Sequence, residues 1–228
     1  MDKESLMLTI AVLGGTGKEG KGLAYRWAKA GYRVLIGSRV SERAVTVASE
    51  IMQLLEGASS VVGATNLEAA QQSDIVVLAV PYAAHRATLE SVKDALKGKL
   101  LIDVTVPLVP PKVSKVQMPA AGSAAQEAKE IAGEDVQVAA AFQNISHELL
   151  LGEEEVECDV LVTGTSKDAR HEALKLVEAT GLTGWDAGPI ENSAVVEGLA
   201  SVLININKQY GSTHAGIKIT GVPRRSTD

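Results

Sequence analysis

The chain has a single cysteine, Cys158, so no internal disulfide can form. A lone thiol fits a reducing compartment, and the expected location is cytoplasmic. Aromatic residues make up only 3%, which excludes a ladder of rings for stacking single-stranded bases. Positive charge is also scarce: Lys and Arg number 22 against 28 Asp and Glu, leaving a formal net charge of −6. Such a surface repels phosphates at long range and argues against a nucleic-acid partner. No apolar run approaches the roughly 20 residues that span a bilayer, so no membrane partner is expected. The opening stretch Met1–Leu8 is polar and has too little apolar content for a signal peptide. The 4 histidines lack metal-ligand spacing and Cys158 has no local partner for a zinc site, so no metal is expected.

What remains is ordinary globular material, 46% hydrophobic and 22% charged, in a chain of 228 residues that can bury one good core with a small appendage. Apolar runs predict strands at Leu8–Leu13, Arg33–Ile36, Ser60–Val62, Ile75–Val80, Leu100–Val104, Val136–Ala140, Asp159–Val162 and Leu182–Trp185. Helical spacing predicts helices at Lys21–Ala30, Ser41–Leu55 (with Ser41 as N-cap), Leu67–Gln72, Ala83–Leu96 and Lys167–Ala179. Strands alternating with helices imply parallel pairing, and uniformly apolar strands imply helices on both faces. The expected fold is therefore α/β, a Rossmann-type, doubly wound, mostly parallel sheet.

Two regions break the rhythm. Val106–Gly122 carries Pro107, Pro110, Pro111 and Pro119 and reads as a long, functional loop. Asn192–Tyr210 is a helical pattern with Val195, Val196, Leu199, Val202, Leu203 and Ile206 on one side. It forms a C-terminal helical segment that packs on the sheet domain or on a partner subunit, and a homodimer would cover its apolar face. The acidic run Glu153–Glu157 reads as a solvated loop.

Gly15-Thr16-Gly17-Lys18-Glu19-Gly20 fits the G-x-G-x-x-G pattern, with Gly14 in front, and it lies between the first strand and the first helix. Glycines there let the backbone approach a pyrophosphate, which the first-turn N–H groups of the helix then face. NAD-binding proteins place a carboxylate at the end of the second strand for the ribose hydroxyls. This chain has Ser38 and Arg39 there, with Arg43 one turn on. Guanidinium forks and a hydroxyl suit a 2′-phosphate, so NADP is the expected cofactor. The competing reading pairs both arginines with Glu42 at the surface. The domain organisation expected is 1–190 as the NADP-binding unit and 191–228 as the C-terminal segment.

With these residues in view, the chain resembles the NADP-dependent reductases of the deazaflavin coenzyme F420. The likeness runs from Leu13-Gly14-Gly15-Thr16-Gly17 through Gly37-Ser38-Arg39 and Pro107-Leu108-Val109-Pro110. It continues at Asp186-Ala187-Gly188-Pro189 with Asn192-Ser193, and ends at Gly216-Ile217-Lys218. It implies hydride transfer between a nicotinamide and a deazaflavin, with the protein mainly positioning the two. It also implies that Thr16 to Glu19, Ser38, Arg39 and Arg43 hold NADP, with Val80, Pro81 and Tyr82 near its ribose and nicotinamide. Asn144 and Ile145, flanked by Gln143 and Ser146, would border the deazaflavin. The chain differs from the family's habit in having Gln143-Asn144-Ile145-Ser146 for His-Thr-Ile-Pro, and the carboxylate of Glu19 where an apolar residue is usual.

His147, beside the proposed substrate segment, and Tyr82 are the candidates for a catalytic role. His85 reads either as a ribose contact or as an exposed first-turn histidine; His171 reads as solvated, Cys158 as a small core residue. Two other functions stay open at this level: reduction of another small acceptor (an imine, a keto compound or a metal chelate), or NADP sensing without chemistry.

Overall fold

The computed structural model describes residues 8–57, 60–152 and 156–223. Residues 1–7 and 153–155, which carry most of the signal-peptide and solvated-loop readings, lie outside them. In chain order the elements are β1 (Thr9–Leu13), α1 (Lys18–Lys29), β2 (Arg33–Ser38), α2 (Ser41–Leu54), β3 (Val61–Thr65) and α3 (Asn66–Gln71). They continue as β4 (Ile75–Leu78), α4 (Tyr82–Val92), β5 (Leu100–Asp103), α5 (Ala124–Ala132), β6 (Gln137–Ala140), β7 (Asp159–Gly164), α6 (Lys167–Ala179), β8 (Thr183–Pro189) and α7 (Ser193–Tyr210).

All five residues of β1 are buried, as a central parallel strand requires. Ile10 and Val12 point into a core shared with α1, α2 and α6 through Leu23, Trp27, Ile51 and Leu176. Ala11 and Leu13 point into the opposite core, which holds Ala69, Leu89 and Ala128 of α3, α4 and α5. The period of two along one strand thus feeds both layers. Trp27 meets Phe142 edge-on at 5.8 Å and donates its indole N–H to the Leu176 carbonyl at 2.9 Å, tying α1 to α6. Truncating such a fully buried ring to Ala costs roughly 3–5 kcal/mol.

Among the described residues the sheet runs β3-β2-β1-β4-β5-β6-β7-β8, and only the β6–β7 pairing is antiparallel. The chain moves outward from β1 to β3 and then returns to β4 on the other side of β1. That reversal opens a crevice beyond the carboxyl ends of β1 and β4, where doubly wound sheets bind ligands.

Several boundaries differ from expectation. Helix α1 begins at Lys18 rather than Lys21, so Glu19 and Gly20 sit in its first turn. The N-cap of α2 is Val40, and Ser41 is already helical. Strand β4 stops at Leu78, and α4 ends at Val92 with a 3-10 turn over Lys93–Leu96. Helix α5 was not expected at all. Its signal was local: Ser123 accepts from the N–H of Gln126, an S-x-x-Q start, and Gly133 follows its last turn. The apolar stripe of α7 is divided: Val196, Ala200 and Leu203 are buried, whereas Val195, Val202 and Ile206 are exposed. Among the described residues no helix is long and apolar enough to cross a membrane.

Candidate active site at the sheet's switch point

The glycine turn is clamped between two strands. The N–H groups of Gly14 and Gly15 both bond the Gly37 carbonyl at 3.1 Å, so the end of β2 sits against the turn. A Cβ on Gly14, at φ +75°, would lie 2.6 Å from the Ala79 carbonyl, and one on Gly15 would lie 2.8 Å from that of Val12. These two glycines are demanded by the fold. Gly17 is not: a Cβ there meets only the Gly14 carbonyl, at 3.4 Å. It is also the N-cap of α1 and offers no side-chain cap. An open backbone at an uncapped helix N-terminus is what a pyrophosphate needs, so this loop fits a dinucleotide.

Arg39 and Arg43 stand exposed just past β2, and among the described residues neither forms an ion pair; the pairing with Glu42 is absent. Ser38 is buried and its hydroxyl accepts from the Val40 N–H at 3.2 Å, leaving its own O–H to donate. These three flank the glycine turn but do not line the cavity beyond it.

That cavity, about 420 Å³, is lined by Gly17, Lys18, Glu19, Gly20, Val80, Pro81 and Tyr82, together with Thr105 just beyond β5 and with Leu108 and Val113 of the proline-rich loop; Gly15 and Thr16 do not line it. Tyr82 donates its hydroxyl to Glu127 at 2.9 Å, and burial followed by this partner pushes its pKa up to about 12. The tyrosine is therefore pinned rather than poised to release a proton.

His85 is neither a ribose contact nor exposed. It has no exposed surface, and its Nε2 lies 2.7 Å from Oδ2 of Asp103, itself fully buried. Burial pulls the imidazolium down, but the hydrogen bond and charge of Asp103 and the charge of Glu127 outweigh it, and the pKa is raised. The helical period places His85 inward one turn after Tyr82, a cue visible in the sequence. Its partner, 18 positions away, is not.

A second cavity, about 340 Å³, adjoins the first. Phe142, at φ +72°, turns the chain out of β6 so that Gln143, Asn144, Ile145, Ser146 and His147 form one wall. Left-handed backbone at a non-glycine residue persists only where its surroundings enforce it. Here Gln143 donates to the Asp103 carbonyl at 2.9 Å and Ser146 to that of Thr213 at 3.2 Å. The side-chain oxygens of Gln143 and Asn144 are buried without a hydrogen-bond partner. Two orphaned acceptors in a cavity wall are costly unless a ligand donates to them, which fits a ring carrying N–H groups. The opposite wall comes from α7 through Ala200, Leu203 and Asn207, a contribution that sequence reading missed because a helical stripe does not name what it faces. His171 is exposed and Cys158 is buried, as expected. Roomier clefts beside β3 and β8 lie at the sheet's outer edges, away from the glycine turn.

Glu19, Val106 and Leu108 line both cavities, so the two meet over the start of α1. Glu19 is half-buried where the two cavities meet, and the loss of water around it pushes its carboxyl pKa up to about 8.

Comparison with known proteins agrees with this geometry. A family profile described as "NADP oxidoreductase coenzyme F420-dependent" matches residues 9–107. A Methanothermobacter marburgensis protein named F420-dependent NADP reductase is 42% identical over 223 residues, 95% of this chain and 100% of that protein. One of the same name from Methanocaldococcus jannaschii is 34% identical, covering 94% of this chain and 99% of its own. A crystal structure from Arthrobacter, assigned provisionally to this reductase type, superposes with a TM-score of 0.77 at 25% identity, covering 94% of this chain and 100% of that one. An imine reductase from Myxococcus stipitatus shares the fold alone, with a TM-score of 0.60 at 21% identity over 90% of this chain and 61% of its own. With relatives this similar over nearly its whole length, and a glycine turn opening onto paired cavities, the chain belongs to the family of F420-dependent NADP reductases.

Proposed function

We propose that this protein transfers a hydride between NADP(H) and the deazaflavin coenzyme F420. The observation that carries this reading is the shared wall of Glu19, Val106 and Leu108, which brings two cavities of different lining edge to edge. Hydride transfer needs its two partners in contact and shielded from water, and positioning is then most of the catalysis.

Gly15, Thr16, Gly17, Lys18 and Gly20 hold the pyrophosphate, while Ser38, Arg39 and Arg43 hold the 2′-phosphate. Val80, Pro81 and Tyr82 border the nicotinamide, which supplies or takes the hydride when bound. Gln143, Asn144, Ile145 and Ser146 orient the deazaflavin, with His147 at the cavity's rim. Residues 1–190 are the dinucleotide-binding unit and 191–228 the C-terminal segment, whose helix α7 lines the second cavity. The exposed Val195, Val202 and Tyr210 of α7 form the contact of a homodimer. The protein works in the cytoplasm, where Cys158 stays reduced.

The test is absorbance at the deazaflavin band on mixing protein, NADPH and oxidised F420. Bleaching that requires both protein and NADPH is the expected result. Absence of bleaching, with NADPH binding demonstrated, would overturn the assignment of the acceptor.

A further inference from the structure

Glu19 is the one ionisable residue among the three shared by the two cavities. Its neighbours there, Val106 and Leu108, are apolar, and among the described residues its carboxyl has no ion-pair partner. The groups that face it are few. On its own helix Lys18 is exposed, and Lys21 is held by Glu50 at 2.6 Å. From α4 comes Tyr82, already bonded to Glu127; from the segment after β6 comes His147. Among the described residues the proline-rich loop offers no charge to either cavity, and α7 and the tail offer only Asn207 and Thr213 as polar groups.

The chemistry asks for such a group. A deazaflavin that accepts a hydride from NADPH on a ring carbon places the electron pair on a ring nitrogen and must gain one proton there. The sum is NADPH plus oxidised deazaflavin plus H⁺ giving NADP⁺ and the reduced ring. A cleft dry enough for hydride transfer has to provide that proton from within. We propose that Glu19 provides it: the carboxyl O–H breaks, the proton passes to the ring nitrogen, and the carboxylate is reprotonated from water. In the reverse direction the Glu19 carboxylate takes the proton back. This rests on the function proposed above.

Two electrostatic effects support the assignment. Burial holds the Glu19 carboxyl up to about 8, so it carries its proton at neutral pH. The phosphates bound at the start of α1 lie beside it and raise its affinity for the proton further, so dinucleotide binding takes up a proton. By linkage that uptake is largest just above the free enzyme's pKa.

Calorimetry of NADP⁺ binding at pH 8.5, in two buffers of different ionisation enthalpy, reads the uptake directly and needs no F420. The wild type is expected to take up a large fraction of one proton, and Glu19→Gln close to none. No uptake by the wild type overturns the proposal whether or not the variant folds. In single turnover with NADPH and F420, the wild-type rate should fall about tenfold per pH unit above the pKa of Glu19. Glu19→Gln should be slowed at least about tenfold with a flattened profile, while His147→Gln, whatever its rate, retains the alkaline limb. An unchanged rate in Glu19→Gln, or loss of the alkaline limb in His147→Gln, overturns it. Proton uptake without any bleaching refutes the deazaflavin reading instead, so the two failures are distinguishable.

Discussion

Nε2 of His85 lies 2.7 Å from Oδ2 of Asp103, and neither side chain has any exposed surface. Oδ1 of the same carboxylate accepts the Thr105 N–H at 2.9 Å, and the Asp103 carbonyl accepts the Gln143 amide. One buried acid thus holds α4, the start of the proline-rich loop and the second cavity's wall together. Replacing His85 with Leu leaves that charge unpaired and is expected to cost about 3 kcal/mol in urea unfolding. Because the folded pKa of His85 is raised, the pair's extra stability is full below the unfolded value near 6.5 and is lost as pH rises through the folded one. A stability difference between wild type and His85→Leu that grows with pH would contradict this.

Arg39→Ala is expected to weaken NADP binding by about 2 kcal/mol, roughly thirtyfold in Kd, through loss of a charge-assisted phosphate contact. NAD affinity should barely change. Equal losses for both nucleotides, measured by fluorescence titration, would make Arg39 structural.

The glycines of the turn should separate into two kinds. Gly14→Ala forces a Cβ to within 2.6 Å of the Ala79 carbonyl at positive φ and should lower the melting temperature. Gly17→Ala meets no such contact, so its stability should change by less than about 1 kcal/mol. Its NADP affinity should nonetheless fall by on the order of 1–2 kcal/mol, because the new methyl occupies the pyrophosphate's approach. Unchanged affinity in Gly17→Ala would place the phosphates elsewhere.

Glu197 of α7 is fully buried and accepts from the N–H groups of Ala124 at 2.7 Å and Ala125 at 3.1 Å, capping α5. Burial, with repulsion from Asp103, pushes its pKa up to about 8 despite these bonds. A carboxyl raised in the folded state contributes stability that is present below its unfolded pKa, near 4.5, and is lost as pH rises through about 8. Within that window its part of the slope is a loss of about 1.4 kcal/mol per pH unit. Glu197→Gln should flatten the dependence of unfolding free energy on pH by that amount, measured with Glu19 unchanged because Glu19 acts with the same sign.

If α7 forms a subunit contact, a charge at Val202, exposed on its outer face, should yield a monomeric mass by light scattering. A wild-type monomer at micromolar concentration would remove the premise.

Much of the architecture is legible because it is local. The run from Thr9 to Leu13, the glycines after it and the helix to Lys29 are contiguous, and each carries its own steric or periodic signature. Ser38 and Arg39 follow by counting from that turn. The errors are local as well. The first turn of α1 was hidden among glycines that read as loop, and the Ser123 start of α5 followed a proline-rich stretch that masked it.

By itself the sequence determined the parallel α/β sheet, the glycine turn after β1 and the arginines beyond β2, since backbone freedom, side-chain period and charge belong to individual residues. Only the tertiary structure decided that Glu19 stands between two cavities, that His85 turns inward to Asp103, and that Glu197 reaches the start of α5. Those partners lie 18 and 73 positions apart in the last two cases. The energy of a buried charge depends on what surrounds it rather than on its own identity, so these relationships arise only when the sheet closes and removes the water between them.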